Sequence, residues 1–170
     1  MRQSGYRPAA KKEWMTPYLI AKPSHAQCMV CGSRDNNPDS LELAFSQHQD
    51  GSVRAPFVVS QKHQGYTGLL HGGMTSTLLD AAMTHCLLMQ GIKALTAELT
   101  VRFVAPIRMG QTITICAQLL GQRRGIYQLE AWLLSGLHIA GQCIDGEQRL
   151  ARASAKFIAP PDGQGGIALC

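Results

Sequence analysis

The sequence has no uncharged apolar run of the roughly 18 residues that a membrane-spanning helix needs, which argues against a transmembrane segment. An export signal is not expected either: the basic start, with Arg2, Arg7, Lys11 and Lys12, is followed by neither an apolar core nor a small-residue cleavage site. Acidic groups are in the minority, 11 against 16 Lys and Arg, and the net charge of +5 favours an anionic partner such as nucleic acid, anionic lipid or a phosphorylated small molecule. Aromatics are scarce, with four Phe, four Tyr and two Trp, and no Lys/Arg block is interleaved with them, so nucleic acid is not the expected partner. No internal repeat is visible. The six cysteines come without an export signal, so reduced thiols in a cytoplasmic protein are expected rather than disulfides.

What is present is a chain of 170 residues, enough for one domain that buries about two thirds of its unfolded surface. Residues 1–40 are rich in turn formers and read as an N-terminal extension packing on the domain, with a short helix near Trp14 limited by Pro17. Residues 41–160 form the domain, and residues 161–170 a flexible tail. Strands are expected over 41–47 and 52–59, joined by a hairpin at Asp50-Gly51. Four more are expected over 95–104, 111–121, 126–134 and 149–158. The last alternates Ala151, Ala153, Ala155 and Phe157 with Arg152, Ser154 and Lys156, so one face is core and the other wet. The stretch 135–144 is ambiguous, and Asp145-Gly146 reads as a turn.

Between the strand pairs lies HGGMTSTLLDAAMTHCLLM, from His71 to Met89. It is apolar on nearly every side and ends near Gly91, as a helix buried on all sides reads. The pattern β-β-α-β-β-β-β then implies an α+β fold, an antiparallel sheet of about six strands wrapped round one long central helix, the hotdog architecture.

The start of that helix leaves backbone N–H groups unpaired, and Gly72 and Gly73 carry no Cβ to keep a carbonyl oxygen away from them. Such donors suit an oxyanion hole. Asp80 is the helix's sole acid and is costly to bury without a partner or a function. The rise of the helix separates Gly72 and Asp80 by about 12 Å, so both act on one carbonyl only if the aspartate comes from an antiparallel helix of a second protomer.

The stretch His63-Gln64-Gly65-Tyr66-x-Gly-x-x-His71-Gly72-Gly73-x6-Asp80, followed by Glu98-Leu99-Thr100-Val101-Arg102-Phe103-x-x-Pro106-x-x-x-Gly110, resembles the hotdog acyl-CoA thioesterases of the phenylacetate-pathway (PaaI-like) type. The resemblance spans residues 41–158. Cys28-x-x-Cys31-Gly32-x4-Asn37-Pro38-x-x-Leu41 extends it to residue 28. It implies hydrolysis of a small to medium acyl- or aryl-CoA in a homodimer or dimer of dimers. Gly72 would bind the thioester oxygen, and Asp80 of the opposing subunit would act as nucleophile or general base. Thr96 takes the place of a small hydroxyl residue that helps position water or the carboxylate. His71 either orients the loop or caps the helix. Arg123 and Arg124, in a turn, take the place of basic residues that meet coenzyme A phosphates, and Gly73 and Tyr66 border the substrate beside Met74, Met83 and Leu87. One position departs from the family: Gly65 stands where many members carry Asn or Gln, with Gln64 beside it as a substitute. That departure motivates an alternative, a non-catalytic acyl-CoA-binding or regulatory module; a hotdog hydratase is disfavoured because Asp35-Asn36-Asn37-Pro38 has no His close behind it.

His85 reads as a satisfied core or interface histidine, and His25, His48, His63 and His138 show no pattern of their own. Cys28 and Cys31 with His25 offer three zinc ligands, but no second CxxC or HxxxH supplies a fourth, so packed thiols, no metal and no cofactor are expected.

Overall fold

A computed structural model describes residues 15–136 and 148–159. The stretch from 137 to 147, with His138 and the Asp145-Gly146 turn, lies outside the described residues, as do the first fourteen residues and the tail.

In chain order come α1 (Met15–Ala21), a 3-10 turn (Lys22–His25), β1 (Ser46–Gln47), β2 (Val53–Val58), a second 3-10 turn (Gln61–His63), α2 (Gly72–Leu88), β3 (Leu95–Phe103), β4 (Thr112–Arg123), β5 (Ile126–Ser135) and β6 (Arg149–Ile158). The strands form one antiparallel sheet in the order β1-β2-β4-β5-β6-β3, and α2 lies across it, packed mainly on β4 and β5. This is the hotdog fold.

Alternation places the inward side chains. Val53, Ala55 and Phe57 of β2, Ile113, Ile115 and Ala117 of β4, Leu129, Ala131 and Leu133 of β5, and Ala151, Ala153, Ala155 and Phe157 of β6 are all buried. One row across the sheet is short: Ala117 pairs with Ala131, and Ala131 with Ala153. Three methyl groups side by side leave room for the helix that the sheet holds. The helix fills that room with Leu78, Leu79, Ala82, Met83, Cys86 and Leu87, each large side chain contributing about 2 kcal/mol or more by leaving water.

Turn chemistry closes the strands. Arg124 (φ 50°) and Gly125 (φ 77°) both take left-handed backbone between β4 and β5, the geometry of a two-residue hairpin turn. Gly91 (φ 75°) ends α2, and a Cβ there would fall 2.8 Å from the Pro17 side chain, so α1 seats directly on this glycine.

The strand expected over 41–47 shrinks to Ser46–Gln47. Leu43 and Phe45 are buried as the alternation suggests, but Glu42 has a left-handed φ of 52° and the Leu41 and Leu43 N–H groups donate to Met29 and Val30 carbonyls. The backbone there is spent on the N-terminal segment, leaving little of it for the sheet. Among the described residues no helix is long and apolar enough to cross a membrane.

Candidate active site

His71 is the N-cap of α2 (φ −63°, ψ 134°). Its own N–H donates to the His63 carbonyl, and its Nδ1 accepts the Gly73 N–H at 2.9 Å. The ring therefore carries its proton away from the helix and satisfies one of the unpaired amides. The Gly72 N–H has no acceptor among the described residues. A Cβ on Gly72 would meet only the Phe103 ring, at 3.5 Å, so the fold itself does not demand glycine at this point. On Gly73 a Cβ would fall 2.9 Å from His71 Nδ1, so that glycine makes room for the cap.

Gly72 sits where two recesses meet. One, of about 460 Å³, is lined by Gln64, Gly65, Tyr66, Leu70, His71 and Gly72. The other, of about 300 Å³, runs from Leu70, Gly72 and Thr75 to Phe103, Pro106 and Ile107. An unpaired donor at the join of two cavities can hold a carbonyl oxygen with substituents extending both ways.

Asp80 is half-buried, and its Oδ1 accepts a 2.6 Å hydrogen bond from Thr96 Oγ1. The contact depends on a bulge: β3 slips register against β6 between Thr96 and Glu98. Such an extra residue re-aims a side chain that regular alternation would point elsewhere. The hydroxyls of Ser76, Thr77 and Thr84 instead donate back to the Gly72, Gly73 and Asp80 carbonyls. Gly72 and Gly73 are exposed, and Ser76, Thr77, Asp80 and Thr84 continue from them as a half-buried stripe of α2, which corrects the expectation of burial on all sides. Gly72 stands beside Phe103 at one end of β3, whereas Asp80 is tied to Thr96 near the other. One protomer holds the two groups apart.

The structure brings together Gly72, Gly73 and His71, and separately Asp80 and Thr96. Gln64 shares the recess at Gly72 and His71 but makes no hydrogen bond to either among the described residues, and it lies apart from Asp80 and Thr96. Gln64 Oε1 accepts the Gly68 N–H at 2.8 Å and closes its own loop. Gly65 lies under His71, where a Cβ would come within 3.0 Å of the His71 Cα and 3.1 Å of its ring. A larger side chain at 65 would crowd the cap. Tyr66 is 86% exposed at the rim of the larger recess. Arg123 and Arg124 are exposed at the β4–β5 turn. The register chain Leu95↔Ile158↔Ile126↔Arg123 puts that turn at the same sheet end as Thr96, about 14 Å across three strand spacings. Met83 and Leu87 are 0% and 1% exposed, so they belong to the protomer's own core and not to a substrate surface.

Two features had no signal in the sequence: the bulge at Ala97 and the Phe103 ring against Gly72. His85 is buried as expected, but it is not satisfied. Neither ring nitrogen has a partner among the described residues, the ring stacks on Phe45 at 4.4 Å, and burial pushes its pKa down to about 4, with His25 and Lys22 adding to the effect. His25, Cys28 and Cys31 converge, with Cys31 Sγ 3.6 Å from His25 Nδ1. Burial, with the neighbouring Cys28, pushes the Cys31 thiol up to about 12; burial also lowers His25, partly offset by the charge of Asp80.

Residues 67–140 match the family model of the thioesterase superfamily. Over 74 residues, 42% of the chain, the sequence is 32% identical to human acyl-coenzyme A thioesterase 13 and covers 53% of it, so the chain spans about half the length of the curated relatives it matches. The fold is similar to that of the E. coli PaaI protein from the phenylacetic acid degradation operon, with a TM-score of 0.65 at 17% identity over 85% of this chain and 97% of that one. It is also similar to smu.793 from Streptococcus mutans bound to acetyl CoA, with a TM-score of 0.59 at 19% identity over 69% and 88%.

Proposed function

We propose that this hotdog-fold chain, whose residues 67–140 match the thioesterase superfamily model, belongs to that superfamily and hydrolyses acyl-CoA thioesters in two equivalent sites of a homodimer. Each site combines Gly72 of one protomer with Asp80 of the other. The observation that carries this reading is the pair of half-sites on α2: an unpaired Gly72 N–H, and about 12 Å along the same helix a carboxylate held by Thr96. Neither half suffices for acyl transfer.

The edge of the sheet supports the dimer. Among the described residues β3 pairs only with β6, and its nine residues leave Leu95 and Phe103 about half exposed at the free edge. A long unpaired edge is a template for another strand. A two-fold axis near the middle of β3 would pair it antiparallel with its copy, lay Thr96 of one protomer near Phe103 of the other, and so bring the partner's carboxylate to the Gly72 amide.

In the reaction the thioester oxygen accepts the Gly72 N–H, and the helix start stabilises the negative charge that develops there. Asp80 takes a proton from the water that attacks the carbonyl carbon and passes it to the leaving sulfur, or attacks the carbon itself to form a mixed anhydride that water then hydrolyses. The C–S bond breaks, the coenzyme A sulfur receives a proton, and the acid is released. Thr96 orients the carboxylate, and His71 holds the helix start in shape. Arg123 and Arg124 meet the phosphates, in keeping with the net charge. The acyl-coenzyme A named for the human relative and the acetyl CoA in the S. mutans structure favour the substrate class. The free thiols of Cys28, Cys31 and Cys86 suit a reducing, cytoplasmic setting.

The experiment is complementation. Asp80→Asn and Gly72→Val homodimers should each lose at least about a hundredfold in turnover. Mixed after reversible unfolding, they should regain about a quarter of wild-type activity, because half the dimers carry one intact site. Mixtures as inactive as the parents would sink the cross-protomer site. A second reading, a non-catalytic acyl-CoA sensor, is favoured by Gly65 under His71 and by Gln64 bound to Gly68. Binding of acyl-CoA thioesters without release of free thiol would select it.

A further inference from the structure

The N-terminal segment carries chemistry that thioester hydrolysis does not use. His25, Cys28 and Cys31 present three donor atoms, all within 4.8 Å of one another, on a segment packed beside the C-terminal half of α2. We propose that these three residues bind one divalent cation of the zinc class, with the fourth coordination position open to water.

Distances come first. With Zn–S near 2.3 Å and Zn–N near 2.1 Å, a tetrahedral ion holds its sulfur and nitrogen ligands about 3.6 Å apart. Cys31 Sγ and His25 Nδ1 stand 3.6 Å apart.

The backbone is shaped to match. In Cys28-x-x-Cys31-Gly32 the Val30 N–H points at Cys28 Sγ at 3.4 Å, the Gly32 N–H donates to the Cys28 carbonyl, and a Cβ on Gly32 would fall 2.6 Å from the Ala26 and Cys28 carbonyl oxygens. The chain is wound tightly enough that both thiols turn to the same point, and an amide is ready for the charge on one of them. A thiolate accepts such an N–H well; a thiol accepts it poorly.

Access is the third point. A recess of about 400 Å³, bordered by Lys22, His25, Cys31 and Asn36, opens onto the cluster and leaves room for a water ligand. His85 faces the His25 ring edge-on at 6.4 Å, but its nitrogens fall outside the set of mutually close donors. It walls the site without completing it, which leaves the fourth position to solvent. Three protein ligands with an open fourth position are an established zinc arrangement, so the missing fourth ligand in the sequence is no obstacle. Binding would release the protons of both thiols and lock the loop of residues 25–31 around the ion.

The test uses the full-length, tag-free chain, purified without chelator and dialysed against zinc in reducing buffer. Mass spectrometry of the metal should find about one zinc per chain, falling at least about tenfold in Cys28→Ser, Cys31→Ser and His25→Ala. Cobalt in place of zinc should give the intense visible bands of tetrahedral thiolate coordination in the wild type. A folded wild type with neither metal nor thiolate-to-cobalt bands overturns the proposal. Metal retained equally in both serine variants overturns it too. Should the variants not fold, the cobalt spectrum of the wild type decides alone.

Discussion

At the residue scale, the sharpest contact is the 2.6 Å bond from Thr96 to Asp80. A bond to a carboxylate is worth about 1.5 kcal/mol or more, so Thr96→Val, nearly isosteric, should lower kcat about tenfold with KM little changed, and Thr96→Ser should restore most of it. Equal loss in valine and serine variants would mean that packing, not the hydroxyl, matters there. Gly72→Ala asks a different question. Its methyl meets only the Phe103 ring at ordinary contact distance, so thermal stability should stay within about 1 kcal/mol of wild type while turnover drops as the methyl crowds the incoming carbonyl. Gly65→Asn should instead destabilise the chain by about 1 kcal/mol, by displacing the His71 cap, and a melting curve reads this directly. The sequence singled out Gly65 only through the family resemblance. That His71 lies over it was not legible there, because the contact joins two loop residues whose approach follows from no periodicity.

At the scale of elements, α2 and the last four strands could be read from the sequence to within two residues, because buried helices and half-buried strands carry strong patterns. β1 could not: residues 41–45 alternate like a strand, yet the Leu41 and Leu43 amides donate to the N-terminal segment. The bulge that aims Thr96 was invisible for a similar reason, since one extra residue in a ladder leaves the composition unchanged. The C-terminal half of α2 carries a pH dependence of its own. His85 is neutral in the fold, and its pKa is lowered from the ordinary 6.5 to about 4 by burial. A group depressed in the folded state favours folding above its unfolded value, and that contribution is lost as pH falls between the two. Stability should therefore decline from about pH 6.5 to about pH 4, by about 3 kcal/mol from this residue. His85→Leu, which also removes two unpartnered nitrogens, should flatten the melting temperature over that window. An unchanged slope in the variant would show that other groups govern the acid limb.

At the scale of the whole molecule, the proposed pairing of half-sites would make catalysis a property of the dimer. Sedimentation should give twice the 18.4 kDa chain mass or a multiple of it, and dilution through the dissociation range should lower turnover per chain in step with the dimer fraction. Constant specific activity in a demonstrated monomer would remove the shared site. In the sequence, the expectation of a shared site rests on a single count, the eight residues from Gly72 to Asp80. It could not show the free β3 edge, which depends on β6 returning between β5 and β3.

The alanine row beneath α2 has a mechanical consequence. Ala117, Ala131 and Ala153 act as a shim whose thickness sets the height of the helix above the sheet. Two added methyls at Ala131, as in Ala131→Val, would lift the rod along its length and tilt both the amide at its tip and the carboxylate near its middle. In a two-fold assembly each tilt is doubled, because donor and acid ride on opposite rods. A change hidden in the core, out of reach of any substrate, would then misalign both catalytic centres at once.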